Sequence, residues 1–350
     1  MKTTIENFSR AKIPAADAAA IPFVSIVIPC LNEERFIGTV LKTLAMQYPP
    51  GCFEIIVVDG LSTDKTRDVV SAFAQDNPGV QVRVIDNPER DIPRALNLGI
   101  TAATGELIVR MDAHSIPSPG YVRRCVQLLA DGDAAVVGMP WKICAGSDSS
   151  MARAIALAVA HPFGIGDAKY RLNVPTAVYV DTVPFGAFKK SLWTRLGGFN
   201  EKLLTNEDYD FNYRVRKDGG LVLLDAAEHC NYVARATLSD LARQYWRYGS
   251  WKAQMVKLQP ASLRWRHLVA PLFVVSLVLT ALVSIFWSPG LWLFFLVAGS
   301  YALLALVCSF QLAIRNKEPL LIFLLPLIFL SLHFSWGSSF VAGLFTSRTR

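Results

Sequence analysis

Two stretches decide the fold: Val24-Ser-Ile-Val-Ile-Pro-Cys-Leu-Asn-Glu33 and Glu54-Ile-Ile-Val-Val-Asp59-Gly-Leu-Ser-Thr-Asp64. Each is a short run of β-branched residues, closed by turn-forming residues and carrying an acid just past its end. Between them, Phe36, Val40, Leu41 and Leu44 share one face of a helix predicted over Arg35–Gln47. After the second stretch, Val69, Val70 and Phe73 do the same for Thr63–Gln75. Further strands are predicted at Val80–Ile85, Glu106–Met111 and Ala134–Gly138, with a helix over Ile92–Ala102. Alternation of this kind builds βαβ units and a mostly parallel sheet. Right-handed crossovers then gather the C-terminal strand ends on one edge, where open α/β sheets bind ligands. Past Gly138 the pattern predicts helices over Ser150–His161, Lys189–Leu196 and Asp208–Lys217, and strands at Tyr179–Val183 and Leu221–Leu224. Gly219-Gly220 ends the last of these helices.

The C-terminal third needs a different solvent. Leu268–Trp287, Leu291–Ile314 and Leu320–Phe345 are apolar all round, and each reaches the roughly 20 residues that cross about 30 Å of hydrocarbon. Pro326, Gly337 and Gly343 interrupt the third, which therefore either spans or re-enters. The formal net charge of +7 is concentrated just ahead of the first apolar run, at Arg235, Arg243, Arg247, Lys252, Lys257, Arg264 and Arg266, among Tyr245, Trp246, Tyr248, Trp251 and Trp265. Beside a hydrophobic anchor, such a stretch reads as an anionic membrane surface contact rather than a nucleic-acid site. Arg264 and Arg266 before the first run, the uncharged Ser288-Pro-Gly290, and Arg315 and Lys317 after the second put the soluble part on the cytoplasmic side of a plasma or inner membrane. The six cysteines form no Cys-x-x-Cys, which suits a reducing compartment.

Three acids follow strand ends on the ligand edge: Glu33, Asp59 and Asp112, the last in Asp112-Ala-His114. Asp64 reads as a turn or helix-capping residue. A further acidic block, Thr205-Asn-Glu207-Asp208-Tyr-Asp210, follows Gly197-Gly-Phe-Asn-Glu201 and opens a helix. One of its acids could serve as an N-cap.

Together with Arg94-Ala-Leu-Asn97 through Gly105-Glu-Leu-Ile-Val-Arg-Met-Asp112, these blocks resemble the family-2 glycosyltransferases of the GT-A fold, over roughly residues 22–250. The resemblance implies an α/β nucleotide-diphospho-sugar transferase domain. In it, Pro29, Glu33 and Asp59 hold the uracil and ribose of a UDP-sugar, with Arg94 and Asn97 as weaker nucleotide contacts. It also assigns Asp112 to a divalent ion, Mg²⁺ or Mn²⁺, under the donor diphosphate, and Asp208 to proton removal from the acceptor. The family's second metal carboxylate is His114 here, either a ligand favouring Mn²⁺ or a hydrogen-bond donor near the phosphates. His161-Pro-Phe-Gly-Ile-Gly and Asp181-Thr-Val-Pro-Phe-Gly186 are similar to the ExoA-type succinoglycan glucosyltransferases, which implies glucose transfer to a polyprenyl-diphosphate-linked saccharide. Gln244-Tyr-Trp-Arg247-Tyr is similar to the Gln-x-x-Arg-Trp of processive synthases but ends in Tyr248, so a non-processive enzyme is expected. Gly186, Glu207 and Arg247 are assigned to the acceptor and donor side.

The expected organisation is an arm at 1–21, a catalytic domain at 22–235, a basic aromatic interfacial segment at 236–267, about three membrane segments over 268–345, and a tail. Rival readings are a synthase acting on bare polyprenyl phosphate, a nucleotidyltransferase, and a membrane receptor without turnover. The nucleotidyltransferase is disfavoured because Pro29–Glu34 is neither Gly-rich nor basic enough for a phosphate loop.

Overall fold

The computed structural model describes residues 21–346. Apart from Ile21 and Thr346, the expected arm and tail lie outside the described residues. Strand β1 (Val24–Cys30) sits between β2 (Phe53–Asp59) and β4 (Leu107–Arg110), and β3 (Gln81–Asp86) pairs with β2; all of these pairings are parallel. Beyond β4 the sheet continues through Ala187–Lys189, Ala134–Gly138, Leu221–Leu224 and Val178–Tyr179. Ala187–Lys189 runs antiparallel to both of its neighbours.

Both faces of the central strands β1, β2 and β4 are covered, which is why these run almost wholly apolar, whereas the edge strand β3 mixes apolar with polar residues and is half-exposed. Val24, Ile26 and Ile28 pack with α1 (Ile37–Ala45), α2 (Thr66–Asp76) and α4 (Tyr121–Asp131). On the other face, Val27, Ile56 and Val58 pack with α3 (Ile92–Ala102) and, through Phe188, Phe199 and Phe211, with the helix Glu207–Lys217. A second, three-stranded sheet joins Ile116–Pro117, Cys230–Val233 and Trp141–Cys144 beside the ligand edge.

Several expected elements are shorter than predicted, among them the helices Ile37–Ala45 and Lys190–Arg195 and the strand Leu107–Arg110, and two of the differences have a visible cause. The strand expected at Tyr179–Val183 is only Val178–Tyr179, because Asn212 takes Thr182 and Val183 out of the ladder, donating to the Thr182 hydroxyl (3.0 Å) and the Val183 carbonyl (3.2 Å). The helix expected to reach His161 stops at Ala158. His161 instead caps the one-turn helix Pro162–Ile165, its Nδ1 accepting from the Phe163 amide.

Three helices, Arg266–Phe286, Pro289–Asn316 and Leu321–Phe345, are long and apolar enough to cross a membrane. The third runs unbroken through Pro326, Gly337 and Gly343, so the break that would suit a re-entrant loop is not there. Its glycines are contact points. A Cβ on Gly343 would lie 2.8 Å from the Ala253 Cβ, and one on Gly249 would lie 2.3 Å from the Trp336 carbonyl oxygen. Small residues thus let the helix Leu238–Leu258, formed by the basic aromatic stretch, press its backbone against the third apolar helix. Another side of the same helix faces the catalytic domain, where Trp251 packs with Leu203 and Tyr209 and Lys252 lies over the Tyr209 ring, whereas Trp246, Arg247 and Trp265 stay exposed.

Candidate active site

The strand ends expected to converge do so through the turns that follow β1 and β2. Asn32 adopts a left-handed conformation (φ 55°) and its side chain accepts from the Thr63 amide, while its own amide donates to the Ser62 hydroxyl. Asp64 accepts from the Thr66 amide and hydroxyl just ahead of α2, the turn role its position suggested. Asp59 is fully buried; one oxygen accepts from the Ser62 hydroxyl, the other from the Ser62 amide and from Arg67 Nε at 2.6 Å. Its carboxylate therefore shapes the turn and is not itself open to a ligand. Pro29 lies within β1 opposite Val58. Glu33 reaches across the crevice, where its carboxylate accepts from His114 Nδ1–H at 2.8 Å.

Arg94 and Asn97, expected as nucleotide contacts, are used differently. Asn97 donates to the Phe199 carbonyl and to Glu201, and accepts from the Phe199 amide. Arg94 pairs with Asp91 and Glu201. Both clamp the Phe199–Glu201 turn to α3. Neither lines the cavity described below.

The acids gather around a residue that the sequence did not single out. Arg110, the last residue of β4, is 3% exposed. Its guanidinium lies 3.2 Å from Asp112 and 3.0 Å from Glu207, and pairs with Asp208 as well. A β4 residue thus ties the Asp112 strand end to the start of the helix Glu207–Lys217. The cap position of that helix is Asn206, in a left-handed conformation and with no side-chain cap bond. The acids are therefore free of capping duty and turned toward Arg110. Burial opposes the charge on Arg110, but Asp208, Asp112 and Glu207 outweigh it and hold its pKa above the ordinary value. Burial pushes Glu207 up, with Asp208 adding to the shift. Asp208 is likewise raised by burial, against the opposing pull of Arg110. Gly186 closes the rear of this cluster; its carbonyl accepts from the Arg110 amide, and a Cβ there would meet Val136 at 2.9 Å.

A cavity of about 750 Å³ opens from these acids. Its lining includes Asp112, His114, Glu207 and Asp208, the basic and phenolic side chains of Arg171, Tyr245, Arg247 and Lys252, and Phe273, Tyr301 and Trp336 of the apolar helices. Among the described residues no three His, Cys, Asp or Glu side chains group as ligands for a metal. With one Asp112 oxygen beside Arg110 and His114 Nδ1 beside Glu33, the protein can offer a cation one carboxylate oxygen and at most one imidazole nitrogen. That set fits a hard divalent ion completed by diphosphate oxygens and water, rather than one caged by protein.

Residues 25–196 match the family model described as glycosyl transferase family 2. The chain is 27% identical over 329 residues to the succinoglycan biosynthesis protein ExoA of Rhizobium meliloti, covering 93% of this chain and 96% of that protein. It is 26% identical over 314 residues to the dolichyl N-acetyl-α-D-glucosaminyl phosphate 3-β-D-2,3-diacetamido-2,3-dideoxy-β-D-glucuronosyltransferase of Methanococcus voltae, covering 88% and 93%. Among solved structures, the mannosyltransferase PcManGT of Pyrobaculum calidifontis, in complex with GDP-mannose and Mn²⁺, superimposes with a TM-score of 0.58 at 21% identity, covering 91% of this chain and 89% of that one. That likeness concerns the fold: a GT-A α/β domain followed by apolar helices. With the family model, the near full-length relatives and the acids at the sheet's ligand edge in agreement, the chain is a family-2 glycosyltransferase.

Proposed function

We propose that this enzyme transfers a sugar from a UDP-sugar to a lipid-linked saccharide, with inversion, at the cytoplasmic face of a membrane. The observation that carries the reading is the continuous cavity from Asp112, Glu207 and Asp208 to the apolar helices. A water-soluble donor can enter at the acidic end, and a lipid-borne acceptor from the membrane end. The name of the Methanococcus relative, a transferase acting on a dolichyl-linked sugar phosphate, supports the same acceptor class. The resemblance to succinoglycan enzymes favours glucose as the sugar.

In this reading the Pro29–Glu33 turn and the turn shaped by Asp59 bind the nucleotide. Asp112 would hold a divalent ion, with the free nitrogen of His114 next to it; the ion, when bound, offsets charge on the departing diphosphate. Asp208 takes the proton of the acceptor hydroxyl as that oxygen bonds to the anomeric carbon, and UDP leaves with the electron pair of the old bond. Arg110 keeps Asp208 aimed and ionised. Exposed Trp246 and Trp265 rest on the membrane surface.

The test is a transfer assay on membranes carrying the enzyme, with a panel of nucleotide sugars and of lipid-linked saccharides. Transfer from a UDP-sugar, lost in excess chelator and restored by Mg²⁺ or Mn²⁺, is expected. His114→Ala should keep most activity but change which of the two ions supports the higher rate. Full activity in chelator would remove the metal from the mechanism, and a bare polyprenyl phosphate as the best acceptor would replace the saccharide. Orientation is checked separately: with three crossings, a reporter fused after Arg350 should be active on the outer side. A periplasmic signal from the N-terminus would reverse the assignment.

A further inference from the structure

Around Arg171, on the cavity wall, hydrogen-bond donors outnumber acceptors. Arg171 is 8% exposed and has no carboxylate partner among the described residues. Its guanidinium lies 4.7 Å from the Trp141 ring centroid, and its Nη1 donates to the Tyr245 hydroxyl at 3.3 Å. Gln244 donates to the hydroxyls of Tyr232 (3.0 Å) and Tyr248 (2.9 Å). Tyr232, Tyr245 and Tyr248 thus each accept a bond through oxygen, while none of their own O–H hydrogens is given an acceptor by those bonds. Turned end for end, the Gln244 amide would accept from both phenols through its oxygen, so the donors left over whichever way it points are those of Arg171 and Tyr245. Burial pushes the Tyr245 phenol up to about 12 and Tyr248 upward as well, so both keep their hydrogens.

Arg171 is buried and its five N–H groups meet only the Tyr170 and Tyr245 hydroxyls, and native proteins rarely bury a cation with so few acceptors unless a ligand supplies more. The ligand must be rich in acceptors and negatively charged, because Arg171 sits here uncompensated and Arg247, over the Tyr248 ring at 5.8 Å, adds a second cation on the same wall. It must also have an apolar part, because the cavity continues along Phe273, Leu304 and Trp336 of the apolar helices.

We infer that Arg171, with the phenols of Tyr232, Tyr245 and Tyr248, forms the site for the phosphate or diphosphate that joins the acceptor saccharide to its isoprenoid lipid. This rests on the lipid-linked acceptor reading and locates that acceptor's anion. The lipid chain follows the apolar helices, and the sugar points back toward Asp208. Gln244 holds two of the phenols in place without contributing charge.

The test measures binding of geranylgeranyl diphosphate to the full chain in neutral detergent by calorimetry. Geranylgeraniol, inorganic diphosphate and UDP serve as separate probes. Tyr232→Phe and Tyr248→Phe change no volume and remove one O–H each; each should weaken geranylgeranyl diphosphate roughly tenfold, as expected for a hydrogen bond to a charged group. Arg171→Gln should weaken it more. UDP affinity and melting temperature of the two Phe variants should stay at the wild-type values, which covers the case that Arg171→Gln fails to fold. Geranylgeraniol and inorganic diphosphate alone should both bind much more weakly than the joined molecule. Equal binding of geranylgeranyl diphosphate by wild type and both Phe variants would overturn the site and leave the acceptor class standing. A matching loss of UDP affinity would overturn it too, by assigning the cluster to the donor. If the wild type glycosylates soluble saccharides yet binds no isoprenoid diphosphate, the lipid-linked reading itself falls.

Discussion

Asp208→Asn should leave UDP-sugar affinity almost unchanged and cut transfer by about 10²–10⁴, the usual contribution of a positioned general base. Asn matches Asp in size and retains an oxygen toward Arg110, so the cluster of Asp112, Glu207 and Arg110 should persist. What disappears is the carboxylate assigned to take the acceptor's proton, while Asp112 and Glu207 remain. The alternative role, a helix cap, predicts almost nothing, because Asn caps about as well as Asp. It is also weakened by the geometry: the cap position is Asn206, and Asp208 pairs with Arg110. Donor binding by calorimetry and initial rates of transfer separate the two. A near-normal rate in the Asn variant would make Asp208 structural and move attention to Glu207.

The first half of the fold was legible because its signals are local and repeated. Each of β1, β2 and β4 is an apolar run with an acid beyond it, and helix α3 was predicted to its end residues. Helix α4 was missed although Tyr121, Val122, Cys125, Val126 and Leu129 are spaced as one buried helical face. The Pro117-Ser-Pro-Gly120 run ahead of it reads as loop and hides the period. Arg110 escaped for a different reason. An arginine ending a strand looks like a solvated edge residue, and only the later chain, through Glu207 and Asp208, supplies the acids that bury it. Arg94 and Asn97 fit the family pattern, yet their partners lie about a hundred residues away at Phe199 and Glu201. The Arg171 cluster draws on Arg171, Tyr232 and the Gln244–Tyr248 turn of a helix, in segments with no shared motif. Clusters assembled by long-range contact leave no periodic trace for a sequence reading to find.

Arg110→Met should abolish transfer and destabilise the enzyme together. Met fills much of the same space and keeps packing near Phe185, whose ring lies 5.8 Å from the guanidinium. The charge is what is lost, and Asp112, Glu207 and Asp208 would then face one another with no cation between them. Breaking a buried ion pair by removing one partner typically costs about 3–5 kcal/mol. For a domain of this size that corresponds to a melting temperature lower by roughly 10 °C. Lys in place of Met restores a charge but not the planar fork that reaches several acids at once, so Arg110→Lys should recover most of the stability and little of the rate. Combining Arg110→Met with Asp208→Asn removes one of the stranded charges, and should raise the melting temperature above that of Arg110→Met alone while transfer stays absent. Scanning calorimetry of the three variants in the same detergent, beside the wild type, gives the ordering. Wild-type melting and turnover in Arg110→Met would show that the acids are solvated independently, and the arginine would lose its place at the centre of the site.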